Sequence, residues 1–172
     1  MHMHDFEIFV DHKGVLELGK LLFDQEPNGL NGMTLPMFPL NTDAIDIAGK
    51  NILIERLNVT NFDDAIAVKG LSKNGDYATC TENVIVRDMN VWFSTGLSIG
   101  SVTPSDKYSC VNNVQFLNTK MYHPLKAIYI KTNPGSTTSM LPGSGGKITN
   151  ILYDNIEVHH PIWWSIYIGP QQ

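Results

Sequence analysis

One pattern recurs along this chain, and it leaves few folds open. Four segments begin with Asn and a short apolar alternation: Asn51-Ile52-Leu53-Ile54, Asn83-Val84-Ile85-Val86, Asn113-Val114-Gln115-Phe116 and Asn150-Ile151-Leu152-Tyr153. Each closes 14 to 16 residues later on an apolar-x-apolar triplet: Ile66-Ala67-Val68, Leu97-Ser98-Ile99, Ile128-Tyr129-Ile130 and Ile166-Tyr167-Ile168. An earlier triplet is Ile45-Asp46-Ile47, and triplet starts are separated by 21, 31, 31 and 38 residues. Alternation with period two predicts strands that bury one face. Its recurrence at roughly 20 to 50 residues predicts a solenoid. The repeat carries no helical periodicity, so the expected fold class is all-β: a single-stranded parallel β-helix of about five coils.

In such a fold successive coils stack about 4.8 Å apart and like residues form ladders. Ile45, Ile66, Leu97, Ile128 and Ile166 make one expected inward ladder, and Ile47, Val68, Ile99, Ile130 and Ile168 the next. Alternation sends Asp46, Ala67, Ser98, Tyr129 and Tyr167 to the outer face. Residues 1–40 read as an N-terminal segment leading into a β-helix domain over 41–172. Within that segment, residues 6–10 read as a strand, 15–24 as a short helix and 25–40 as a loop. A second loop, rich in Gly, Ser, Thr and Pro, is expected over 132–147 and accounts for the longest spacing.

Composition narrows the function. Of 172 residues, 42% are hydrophobic and 17% charged, which excludes a disordered chain. The net charge is -5 and there is no Lys/Arg run, so neither a nucleic-acid nor an anionic-membrane partner is expected. No apolar run approaches the roughly 20 residues that span a bilayer.

Aligning the triplets gathers acids. Asp43, Asp64, Thr95 and Lys126 each lie two residues before a triplet, and Thr42, Asp63, Ser94 and Leu125 one step earlier. Asp43, Asp63 and Asp64 therefore fall on two adjacent coils. Like charges brought within roughly 5 Å repel, and at least one pKa should rise. Clustered carboxyls with split pKa values suit glycoside hydrolysis, where one protonates the leaving oxygen and another activates water or attacks. Two rival readings remain open: turn-capping aspartates, and oxygen ligands for calcium in a lyase-like module. Small outer residues, Ala67, Ser98 and Gly100, leave room for a groove. Lys69, Lys131 and Tyr129 border it as candidate substrate-binding groups. Trp163 and Trp164 are expected to pack at a coil corner rather than stack on sugar.

These residues resemble glycoside hydrolase family 28, the polygalacturonases and related pectin hydrolases. The likeness is carried by Asn41-Thr42-Asp43, Asp63-Asp64, Gly96-Leu97-Ser98-Ile99-Gly100-Ser101 and Ile130-Lys131-Thr132, in that order over roughly residues 40 to 170. It implies a right-handed β-helix and an inverting hydrolysis of a pectic polysaccharide, without metal or other cofactor. Asp63 resembles the general acid, Asp43 and Asp64 the pair that activates water, and Lys131 the substrate-binding lysine. Two positions depart: Thr95 stands where the family has a histidine, and Tyr129 where it has an arginine. The first removes a group that titrates near neutrality, the second a bidentate carboxylate clamp. A modified or neutral pectic sugar, an exo-acting site, or a silent carbohydrate-binding β-helix all follow as readings.

Family members are also longer, and the series here stops just past its last triplet, so a partial chain is expected. The opening residues, Met1 to Gly14, lack the basic start and apolar stretch of an export signal. The resemblance nevertheless implies an extracellular protein, expected here as a monomer. Cys80 and Cys110 each precede the Asn-led strand of their coil by three residues, which makes them neighbours and a candidate disulfide. Asn58-Val59-Thr60 is a candidate glycosylation sequon.

Overall fold

The computed structural model describes residues 1–10, 41–70, 80–102, 109–132 and 146–170. Among them lie ten strands and no helix: β1 (His2–Phe9), β2 (Ile45–Ile47), β3 (Lys50–Thr60), β4 (Asp64–Val68), β5 (Thr81–Trp92), β6 (Gly96–Val102), β7 (Ser109–Tyr122), β8 (Lys126–Thr132), β9 (Gly146–His159) and β10 (Trp164–Pro170). The odd strands form one sheet in the order β1-β3-β5-β7-β9, the even strands another in the order β2-β4-β6-β8-β10. Every pairing is parallel. Successive passes of one chain, each giving a strand to both sheets, make a parallel β-helix.

The triplets stack as their spacing predicts. Ile45 pairs with Ile66, Ile66 with Leu97, Leu97 with Ile128, and Ile128 with Ile166. Two residues on, Ile47, Val68, Ile99, Ile130 and Ile168 follow the same order. Opposite them the odd sheet contributes Ile54, Val59, Val86, Val91, Phe116 and Met121 to one apolar core. Full burial of each such side chain is worth roughly 1.5–3 kcal/mol. On the last coil Ile166 and Ile168 are exposed, because no further coil covers them among the described residues.

The leading asparagines have a backbone reason. Asn51, Asn83, Asn113 and Asn150 all adopt φ between 53° and 57°. Five residues on, Arg56, Asp88, Asn118 and Asn155 do the same, with φ between 49° and 57°. These left-handed corners bend each long strand so that the chain can close a coil. Asn tolerates that region better than most residues. Its amide also ladders from coil to coil: Asn83 Nδ2 donates to Asn51 Oδ1 at 3.0 Å, and Asn113 Nδ2 to Asn83 Oδ1 at 2.9 Å. A parallel stack of rings runs beside it, Phe62 on Phe93 on His123 on His160, with centroids 5.5–5.9 Å apart.

Expectations outside the repeat fare differently. The first strand begins at His2 and pairs with β3, so it already belongs to the odd sheet. The helix over 15–24 and the loop over 25–40 lie outside the described residues, as does most of the loop over 132–147. Its two ends correct the prediction: Thr132 belongs to β8, while Gly146 and Lys147 belong to β9, because they continue the backbone ladders to neighbouring strands. Cys80 and Cys110 are joined by a disulfide, with Cα atoms 4.5 Å apart. The register that sets Thr81 against Val111 brings them face to face. Asn58 is exposed in mid-sheet, where its Oδ1 accepts from Asn90 Nδ2 at 3.0 Å.

Candidate active site

The acids sit where each pass enters the even sheet. Asn61 holds that turn together: it is fully buried, and its Nδ2 donates to the carbonyls of Thr42, Asp63 and Asp64 at 2.8–2.9 Å. Thr42 Oγ1 accepts from Phe62 N at 3.1 Å, tying the preceding coil to the same turn. From the following coil, Thr95 N donates to the Asp63 carbonyl at 2.9 Å and Ser94 Oγ to the same carbonyl at 2.8 Å. Just after Asp64 a bulge sets Asp64 against Gly96 and Ile66 against Leu97. A β-bulge re-aims the side chains around it. Gly96 is required there, because φ is +129° and an added Cβ would lie 2.7 Å from the Lys126 carbonyl oxygen.

Asp43, Asp63 and Asp64 can each offer an oxygen within 4.8 Å of the others. Their surroundings differ. Asp64 is fully buried; its Oδ1 accepts from Thr95 Oγ1 at 2.8 Å and Ser98 Oγ at 2.6 Å, and its Oδ2 pairs with the Lys131 ammonium. Asp63 Oδ2 accepts from Asn41 N at 2.7 Å, and Oδ1 from Asp64 N at 2.8 Å and Thr95 Oγ1 at 3.1 Å. Beside Asp43, Lys69 Nζ stands 3.7 Å away. Partial burial and the charges of Asp63, Asp64 and Asp46 push the Asp43 carboxyl up to about 6.

Several sequence expectations are corrected here. The outer face beside the acids is not an open groove: Ala67 and Ser98 are fully buried, and Ser98 uses its hydroxyl on Asp64. Lys131 does not border open space; it is buried and committed to Asp64. Tyr129 is 3% exposed, so it offers no open stacking surface. Its ring lies 5.1 Å from Lys131 Nζ and 4.1 Å from Lys126 Nζ. Thr95, at the position of the family's histidine, places its Oγ1 within hydrogen-bond distance of both Asp63 Oδ1 and Asp64 Oδ1, at 3.1 and 2.8 Å. Lys69 is half-buried and also approaches Asp46, at 3.3 Å. Trp163 and Trp164 are 49% and 46% exposed instead of packed into a corner. An alternating pattern gives the direction of a side chain, but not what the next coil lays over it.

Sequence reasoning gave no role to Asn61, Ser94 or Lys126. A polar residue in the turn just before paired acids was the available signal for Asn61. Lys126 was visible only as the fourth member of the acid-bearing column.

A family model, Glycosyl hydrolases family 28, matches residues 25–169. The chain belongs to this family. It is 33% identical over 132 residues to a polygalacturonase of Fusarium fujikuroi, covering 76% of this chain and 30% of that protein. It is 32% identical to a probable exopolygalacturonase C of Aspergillus flavus, covering 72% of this chain and 25% of that one. A probable rhamnogalacturonase C of the same species is 30% identical over 142 residues, 81% of this chain and 27% of that protein. Among solved structures, an endo-xylogalacturonan hydrolase from Aspergillus tubingensis superposes with a TM-score of 0.54 at 26% identity, over 74% of this chain and 30% of that one. The chain thus spans about a quarter to a third of the length of these relatives.

Proposed function

We propose that this chain carries the hydrolytic centre of a glycosidase acting on a pectic polysaccharide. One observation supports this above the others: three carboxyls from two coils converge within 4.8 Å, and one of them, Asp43, is pushed up to about 6. Such a cluster holds a proton near neutrality while keeping ionised oxygens beside it. The protons belong to the coupled set rather than to one residue. We assign Asp63 as the donor to the leaving glycosidic oxygen, and Asp43 and Asp64 as the groups that orient and deprotonate water. The relatives' polygalacturonase and rhamnogalacturonase names favour a pectic substrate. We place the reaction outside the cell, where the Cys80–Cys110 disulfide would persist.

Water attack with inversion is the family-like reading. A second is favoured by the spacing. Inverting pairs usually stand roughly 6.5–9.5 Å apart and retaining pairs about 5–5.5 Å, so the close approach seen here also suits a carboxylate nucleophile. The anomer released in the first turnovers, read by proton NMR, separates the two. A calcium-dependent reaction is less well supported, because the Lys131 ammonium already neutralises Asp64.

The test is Asp63→Asn assayed on a panel of pectic oligosaccharides. Loss of a general acid lowers kcat by about 10²–10⁴-fold, with an unchanged melting curve as the folding control. Full activity in the variant removes Asp63 from the role. Oligosaccharide binding by the unmodified chain without product release would instead support a silent binding β-helix.

A further inference from the structure

The first strand carries two histidines that the acid cluster does not use. β1 is an edge strand of the odd sheet among the described residues, and His2 and His4 lie two residues apart on it. Side chains two apart on a strand share a face. Met3, between them, turns inward and packs against the core. His2 and His4 face outward, both half-exposed, with ring centroids 4.6 Å apart. At a metal–nitrogen distance of about 2.0–2.1 Å, two imidazoles in adjacent positions on one ion hold their centres roughly 4.5–5 Å apart.

Each ring is gripped by a carboxylate. His2 Nε2 lies 2.9 Å from Glu55 Oε1, and His4 Nδ1 lies 2.6 Å from Asp5 Oδ2. Arginines hold those carboxylates in turn. Arg87 Nε and Nη2 donate to Glu55 Oε2 at 2.8 and 2.6 Å, and Arg56 Nε and Nη2 donate to Asp5 at 2.6 and 2.9 Å. Hydrogen bonds from Arg87 first, and then from His2, keep the Glu55 carboxyl below its usual range; those from Arg56 first do the same for Asp5. An ionised carboxylate only accepts. The facing nitrogens are therefore the N–H ends of the rings, and in the neutral imidazoles the lone pairs sit on His2 Nδ1 and His4 Nε2. No hydrogen bond or ion pair engages either atom among the described residues. A carboxylate on the far nitrogen is how proteins commonly fix the tautomer of a metal-bound histidine and raise its basicity. Two arginines against three carboxylates, Asp5, Glu55 and Asp88, leave the patch with one negative charge in excess, which favours a cation.

We propose that His2 and His4 chelate one late divalent transition-metal ion, of the class of Cu²⁺, Ni²⁺ and Zn²⁺, with Glu55 and Asp5 bracing the two rings from behind. Imidazole suits these ions, whereas calcium and magnesium prefer oxygen. Glu55 lies on β3, so the bound ion fastens the edge strand to its neighbour. The site is on the odd sheet, away from the turn that carries the acids, and the inference is independent of the hydrolase reading.

The experiment titrates the untagged chain with Ni²⁺ by calorimetry and with Cu²⁺ by electron paramagnetic resonance. One Ni²⁺ per chain is expected, and the Cu²⁺ spectrum should show coupling to two imidazole nitrogens. His2→Ala and His4→Ala should each weaken binding about 100-fold or more, because the second imidazole, held beside the first, acts at high effective concentration. Asp5→Asn keeps both ligands and suits the backbone, whose φ is 56° there. It should weaken binding roughly tenfold or more. His159→Ala and His160→Ala should stay within about twofold of the unmodified chain. Saturating Ni²⁺ should raise the melting temperature of the unmodified chain and leave that of His2→Ala unchanged. Two extra residues ahead of Met1 should not alter binding; the Met1 ammonium donates to Asn51 O at 3.0 Å and is not a ligand. Absence of binding overturns the assignment, and so does binding that survives both histidine variants. Loss of binding on extension also overturns it, since the terminal amine would then be the ligand.

Discussion

At the scale of single residues, the Asp64–Lys131 pair is the most constrained feature of the site. Both partners are buried, and Asp64 also accepts from Thr95 and Ser98. Removing one partner strands a charge away from water. Asp64→Asn and Lys131→Met should each destabilise the chain by about 3–5 kcal/mol in urea unfolding, and the double variant by less than their sum. Additive losses would mean that the pair is not coupled. Asp43 behaves differently, because burial and the neighbouring acids push it from 3.8 up to about 6. Protonation is therefore easier in the folded chain than in the unfolded one. The stability linked to it is fully present below about pH 3.8 and is lost as pH rises through about 6. Replacing Asp43 by Asn removes that loss, so the melting temperature of Asp43→Asn relative to the unmodified chain should climb between pH 4 and 7. A constant difference across that range would show that Asp43 titrates normally.

Elements are set by their corners. β3, β5, β7 and β9 run for 11 to 14 residues, and each is turned twice by a residue at positive φ. Asn83 is representative, with φ of 56° and an amide placed between those of Asn51 and Asn113. Asn83→Ala should cost about 1–2 kcal/mol from backbone strain, plus the ladder bonds. Asn83→Gly keeps the conformation and loses only the bonds. Equilibrium unfolding of the two variants should rank Gly above Ala, and the reverse order would place the strain elsewhere. This is also why Asn marks the repeat so clearly in the sequence. Few side chains accept the left-handed region, so the corner selects its residue on every coil. Arg56 at an equivalent corner, again with φ of 56°, shows that the selection is a preference.

For the molecule as a whole, stability comes from coil stacked on coil, with a covalent link between two of them. The Cys80–Cys110 disulfide closes a 30-residue separation across β5 and β7. A loop of that length is worth about 3–4 kcal/mol in the chain-entropy account. Urea unfolding with and without dithiothreitol should show a loss of that order, and coincident curves would mean that the link carries no stability. Much of this architecture was legible beforehand. Period-two alternation dictates which residues face inward, and its recurrence dictates that Ile45, Ile66, Leu97, Ile128 and Ile166 superpose, as they do. The gathering of Asp43, Asp63 and Asp64 follows from the same register, since stacked coils carry fixed offsets into space. The partnerships around those acids do not follow from it. Whether Lys131 meets solvent or Asp64, whether Thr95 turns to a ligand or to two carboxylates, and whether Lys126 finds an anion or a wall of rings depend on reach, rotamer and a one-residue bulge at Ala65. Backbone periodicity is a local property repeated along the chain, and so the sequence determined the stacking. Side-chain pairing is a competition among neighbours that only the closed coils bring together, and so tertiary structure alone decided it.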